Sequence, residues 1–82
     1  MQSNENKPLD ARRFPEIFNS LTVTEQQELC ESIIRLTGFT RMAITHWSKG
    51  NRTPKSLSTK RDIVRAFRQS LGIRTSTVTL FN

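Results

Sequence analysis

Basic and hydrogen-bonding side chains are interleaved along residues 38–54, which read GFTRMAITHWSKGNRTP. Arginine and lysine donate hydrogen bonds to anionic groups, and the planar guanidinium of arginine can bind two acceptors side by side. Threonine and asparagine add neutral donors and acceptors between these cations. The chemistry that this stretch could perform is therefore recognition of a polyanion rather than a reaction.

The side chains that most often perform catalysis are scarce and scattered. The single histidine, His46, and the single cysteine, Cys30, belong to different predicted helices. No pair of carboxylates has a spacing suited to acid–base catalysis, and the sequence resembles no phosphate-binding loop or metal-ligand cluster. We therefore expect that the protein is not an enzyme and has no cofactor, metal or small-molecule substrate.

Charge is divided unevenly between the two halves of the chain, whose net charge is +6 at pH 7. Residues 1–40 carry six acidic and four basic groups, whereas residues 41–82 carry nine basic groups and one acidic group, Asp62. A basic half of this density favours a polyanionic partner such as nucleic acid.

The length of 82 residues suits one small domain with a modest core. No apolar run approaches the length of a transmembrane helix, and the first residues lack the apolar stretch of a signal peptide. A lone cysteine excludes an internal disulfide. We therefore expect a cytoplasmic protein that does not bind membranes.

Periodic apolar positions predict an all-α bundle of four to five helices. Four helices are expected near residues 14–20, 24–37, 41–49 and 59–71. Thr24 and Gln27 have the spacing of a capping box at the start of the second helix, and Gly38 fits the left-handed position at its end.

Three segments follow from this pattern. Residues 1–10 are predicted to be a flexible N-terminal lead, and residues 11–73 to be the folded domain. Residues 74–82 alternate threonine with β-branched and apolar residues, which predicts an extended tail or dimerisation arm.

The helix predicted at residues 41–49 has two opposite arcs. Ala43, Ile44 and Trp47 share one arc, since successive residues of a helix are about 100° apart. Trp47 is accordingly predicted to be buried against Ile33, Ile44, Val64 and Phe67. The opposite arc carries Arg41, Met42, Thr45, His46 and Lys49.

Two helices joined by a tight, glycine-containing turn form a helix-turn-helix. The pattern G-F-T-x-x-x-I-T-x-W-x-x-G-x-x-x-P, from Gly38 to Pro54, resembles the signature of the lambda-repressor-like (Cro/Xre-type) helix-turn-helix family. The resemblance covers roughly residues 22–73. It implies a sequence-specific regulator of transcription, often a phage or mobile-element repressor, that binds double-stranded DNA as a homodimer.

Carried over position by position, the resemblance implies two sets of DNA contacts. The residues that would contact base edges in the major groove are Arg41, Met42, Thr45 and His46. The residues that would contact phosphates are Thr40, Lys49, Asn51, Arg52 and Lys55. Because the sequence provides no ligand domain, it predicts no small-molecule inducer.

The main alternative is a protein-interaction module with the same fold, such as an adaptor or an antitoxin, because a fold alone does not determine function. Met42 favours this alternative, since a flexible thioether suits protein grooves as well as thymine methyl groups. Structured RNA is a third possible partner, but the sequence offers no exposed aromatic side chain on which bases could stack.

Overall fold

Five α-helices make up the computed structural model, which describes residues 9–81. They are α1 (Phe14–Ser20), α2 (Val23–Thr37), α3 (Arg41–Ser48), α4 (Leu57–Leu71) and α5 (Thr77–Phe81). No strand occurs between residues 9 and 81, so the predicted all-α class and the number of helices are confirmed. The predicted flexible lead falls almost entirely outside the described residues.

One hydrophobic core receives side chains from all five helices. The residues with no exposed surface are Phe14, Ile17, Leu29, Ile33, Ile44, Ile63, Ala66 and Phe67. Burying a large apolar side chain completely contributes about 1.5–3 kcal/mol, so this cluster supplies most of the driving force for folding. None of the helices within residues 9–81 combines the length and apolarity needed to cross a bilayer.

The N-cap of α2 is Thr22, and the prediction of Thr24 was wrong. The Thr22 hydroxyl accepts a hydrogen bond from the Glu25 amide at 3.2 Å, and the Glu25 carboxylate accepts one from the Thr22 amide at 2.9 Å. Both threonines precede Glu or Gln by three residues. In the upstream pair the reciprocal acceptor is the charged carboxylate of Glu25, which also interacts favourably with the helix dipole, whereas the downstream pair would use the neutral amide of Gln27.

The remaining helix boundaries lie close to their predicted positions. Gly38 ends α2 in the left-handed conformation with φ of 79°, as predicted. The fourth helix begins two residues earlier than expected, because Ser56 serves as its N-cap and accepts from the Thr59 amide.

Residues 77–81 are helical, so the prediction of an extended tail was wrong. Leu80 and Phe81 of α5 are only 1% and 7% exposed, and they join the same core as the other helices. The Phe81 ring stacks on Phe14 with centroids 5.4 Å apart. Burial of two large apolar side chains outweighs the weak strand preference of Thr and Val, which depends on context.

Candidate nucleic-acid interface

Three residues, 38–40, join α2 to α3 and set the direction of α3 relative to α2. The Gly38 amide donates to the Ile34 carbonyl at 2.9 Å, which closes α2. The Phe39 ring, 40% exposed, packs edge-on against Trp47 with centroids 5.4 Å apart. The Thr40 hydroxyl accepts from the Ala43 amide at 3.3 Å and caps α3. This junction has the length and glycine content of a helix-turn-helix turn.

The inner side of α3 is held by Ile44 and Trp47, which are 0% and 4% exposed. The Trp47 ring meets the rings of Phe14 and Phe81 edge-on, at centroid distances of 6.2 and 6.4 Å. At the far end, the Asn19 side-chain amide donates to the Ser48 carbonyl at 3.0 Å. The helix is therefore fixed at both ends and along one face.

The predicted burial of Trp47 is confirmed, but its neighbours were only partly anticipated. Ile33, Ile44 and Phe67 belong to the same buried cluster, and Val64 packs on it while remaining partly exposed. The aromatic rings around Trp47 belong to Phe14, Phe39 and Phe81, none of which the helical periodicity had indicated.

The chain leaves α3 through a Schellman motif centred on Gly50. The Asn51 amide donates to the His46 carbonyl and the Gly50 amide to the Trp47 carbonyl, both at 3.1 Å. Gly50 has a φ of 77°, and a Cβ there would meet no atom within 4 Å. Glycine is therefore favoured by backbone conformation rather than by space. Arg52 follows this turn on the surface.

The side of α3 opposite Ile44 and Trp47, here called the outer arc, is less evenly exposed to solvent than predicted. Arg41 and Met42 are exposed, and Met42 presents 69% of its surface to solvent. Thr45 and His46 are half-buried. The Thr45 hydroxyl donates to the Arg41 carbonyl at 3.1 Å, which leaves its methyl group and acceptor lone pairs for a partner.

The five candidate phosphate-binding residues are all exposed: Thr40, Lys49, Asn51, Arg52 and Lys55. The Thr40 oxygen accepts a hydrogen bond within the cap, so its hydroxyl proton can still be donated to an anion. The start of α3 adds the positive end of a helix dipole. Residues 38–61 contain no Asp or Glu, so the charges that this segment itself contributes to the surface are all positive.

Cys30 of α2 lies in the core, at 1% exposure. Burial raises the pKa of its thiol, and the positive charge of Arg41 partly opposes this effect. A buried thiol with a raised pKa is mostly protonated at neutral pH, so this environment makes Cys30 a packing residue.

A cavity of about 410 Å³ lies between α3 and the segment that leads into α4. Its walls are formed by Phe39, Ala43, His46, Trp47, Arg52, Thr53, Pro54, Lys55, Ser56 and Thr59. The Nδ1 atom of His46 is buried and has no hydrogen-bond partner in the described part of the chain. The sequence did not predict the cavity. Its walls come mainly from α3 and from residues 52–59, and no local sequence pattern shows that these two segments lie side by side.

Comparison with known proteins identifies no relative: no family model matches the chain, and no curated protein or solved structure resembles it significantly. The resemblance to the lambda-repressor-like family remains a prediction.

Proposed function

We propose that the protein is a sequence-specific, double-stranded DNA-binding regulator of transcription that places α3 in the major groove. The observation that supports this most is α3 itself, which follows a three-residue turn and is anchored through Ile44 and Trp47. Its opposite side presents Arg41 in a surface without acidic neighbours in sequence. An α-helix fits into the major groove of DNA, where each base pair displays a distinct pattern of hydrogen-bond donors and acceptors.

Arg41 is the proposed principal base contact. It is the first residue of α3 and is exposed, at the end where recognition helices approach the bases. Its guanidinium can donate to O6 and N7 of one guanine. Met42 would contact a thymine methyl group, and Thr45 would accept from a base amino group. His46 would have to turn its half-buried ring outward to reach a base.

The proposed phosphate contacts flank this helix on both sides. The Thr40 hydroxyl and the first amides of α3 would bind one phosphate, and Lys49, Asn51, Arg52 and Lys55 would bind the backbone beyond the other end. Such contacts supply affinity and orientation without sequence information. They also make binding strongly salt-dependent, because each neutralised phosphate releases counterions.

We further propose that the protein acts in the cytoplasm as a repressor-like homodimer on DNA. One short recognition helix buries little surface, and regulators of this kind pair on half-sites about 34 Å apart. An extended arm does not enter this proposal, since Leu80 and Phe81 lie in their own core. Light scattering with duplexes containing one or two half-sites should give one and two bound copies, respectively.

The decisive experiment compares Arg41→Ala with Arg52→Ala. Random duplexes bound by the unmodified protein are first selected and sequenced to define the preferred site. Affinities are then measured for that site, for single mismatches and for random duplex at several salt concentrations. Arg65→Ala on α4 is the matched control, because Arg65 is exposed and lies outside the proposed contact set.

Arg41→Ala should relax preference at one base pair per half-site, a loss of about 1–3 kcal/mol of discrimination, and should retain most binding to random duplex. Arg52→Ala should weaken all duplexes alike and reduce the salt slope by about one unit. If both variants weaken all duplexes equally, Arg41 does not read bases. Salt-independent binding to a protein instead of to duplex would favour the interaction-module alternative, for which the exposed Met42 is the supporting observation.

A further inference from the structure

We propose that the cavity between α3 and residues 52–59 is a binding site for a small aromatic carboxylate. Its volume of about 410 Å³ falls within the usual range for small-molecule sites, which runs from about 300 to 1,000 Å³. The volume alone does not indicate a ligand class. The distribution of apolar and charged groups around the cavity does.

The inner part of the cavity is apolar. Trp47 and Pro54 are buried, Ala43 is half-buried, and Phe39 lies at the opening with 40% of its surface exposed. Phe39 and Trp47 already pack edge-on, with an interplanar angle of 68°. A flat aromatic group entering here would bury apolar area and meet two ring systems, an arrangement that favours aromatic over aliphatic ligands.

The polar part of the cavity is cationic. Arg52 and Lys55 both contribute to its walls and are otherwise exposed. Among residues 9–81, no acidic side chain lines the cavity. Charge complementarity therefore selects an anion over an amine, and a planar carboxylate suits the hydrogen-bonding fork of Arg52.

His46 provides an independent indication that the site is incomplete. Its ring lines the cavity, while its Nδ1 atom is buried without a hydrogen-bond partner from residues 9–81. A buried nitrogen in this state is unfavourable. Because Nδ1 has almost no accessible surface, the imidazole would have to rotate before it could donate a hydrogen bond to a carboxylate held by Arg52 and Lys55.

Occupancy of this cavity has a consequence that rests on the proposed function. His46, Arg52 and Lys55 are also proposed DNA contacts, so the carboxylate and DNA would compete for them. The coupling must be reciprocal, with each ligand weakening the other by the same factor. A regulatory ligand site would then lie within the DNA-binding domain itself, contrary to the expectation of no inducer.

Binding is tested without DNA on the full chain. Naphthalene-2-carboxylate and its neutral analogue naphthalene-2-methanol are titrated by calorimetry and by amide NMR shifts. The acid should bind saturably, with shifts centred on Phe39, Ala43 and His46, and roughly tenfold more tightly than the alcohol, the ratio expected for charge-assisted hydrogen bonds. Equal affinity of acid and alcohol, shifts elsewhere, or no binding of the acid at millimolar concentration would overturn the proposal.

Two variants and a control sharpen the test. Lys55→Gln should weaken binding of the acid several-fold and leave binding of the alcohol unchanged, whereas Ala43→Leu should narrow the apolar part of the cavity and weaken binding of both. Arg65→Ala on α4 should change neither. If Ala43→Leu fails to fold, Lys55→Gln decides alone, and an unchanged affinity for the acid refutes the site. A separate competition with duplex tests the coupling, so a failure of DNA binding leaves the ligand result intact.

Discussion

Replacing Phe81 by alanine tests whether α5 is an integral part of the core. The Phe81 side chain is 7% exposed and contacts two aromatic rings, stacking on Phe14 and meeting Trp47 edge-on. Truncation of a buried phenylalanine costs about 3–5 kcal/mol. Because α5 is only five residues long and can shift to fill part of the space, we expect a loss near the lower limit, about 3 kcal/mol.

That loss is large for a chain of 82 residues, whose total stability should be roughly 4–12 kcal/mol. Urea unfolding followed by circular dichroism measures it directly. With an m-value of about 1–2 kcal/mol per molar, the midpoint should fall by roughly 1.5–3 M while m stays constant.

The matched control is Val78→Ala on the same helix, because Val78 is 66% exposed. It should change the free energy of unfolding by less than about 0.5 kcal/mol. A loss below about 1 kcal/mol for Phe81→Ala, similar to the control, would refute the core role of α5 and restore the extended tail.

Three further predictions concern other parts of the molecule. Trp47→Ala should lower the free energy of unfolding by about 3–5 kcal/mol in the same urea assay, and a loss under 1 kcal/mol would contradict the assignment of the buried face of α3. The side-chain hydrogen bond from Arg12, at 2.8 Å, lowers the pKa of the Asp10 carboxyl. The stability that this bond contributes is therefore fully present above the unfolded-state pKa of Asp10 and is lost as the pH falls through the lower folded-state pKa. Asp10→Asn should therefore lower the free energy of unfolding by less than about 1 kcal/mol at pH 7 and should leave it unchanged in strong acid. Urea unfolding midpoints at several pH values measure this difference, and a loss of stability that does not depend on pH would contradict the prediction. Cys30 should react slowly with an aromatic disulfide reagent at neutral pH until urea unfolds the chain, since burial raises the pKa of its thiol; rapid labelling of the folded protein would show that it is accessible.

Local signals in the sequence were sufficient to predict α3, its buried face and the turns at its two ends. Gly38 and Gly50 have left-handed backbone conformations, and Thr40 caps the helix with its own hydroxyl. Each of these depends on a few neighbouring residues, so composition and spacing reveal them. The burial of Ile44 and Trp47 followed from the helical period alone.

Features that depend on distant segments could not be predicted in this way. The five residues of α5 are too few for a periodic pattern, and their conformation is decided by the docking of Leu80 and Phe81 on α1 and α4. The half-burial of His46 and the cavity beside it depend on where residues 52–56 cross α3. The sequence therefore identified the proposed contact residues, but it did not predict that His46, Arg52 and Lys55 line one cavity.

The contact between Phe14 and Phe81 also constrains the order of events in folding. These rings are the first and last members of the core along the chain, and a second link joins the same regions through the Asp10 amide and the Arg74 carbonyl at 2.7 Å. Bringing them together closes nearly the whole chain into a loop, which costs entropy that no local helix contact requires. During synthesis, α3 emerges before Phe81 exists, and Trp47 then lacks one of its aromatic walls. We therefore expect the aromatic packing around Trp47 to be completed only when this loop closes, and folding should become slower when the closing contacts are weakened.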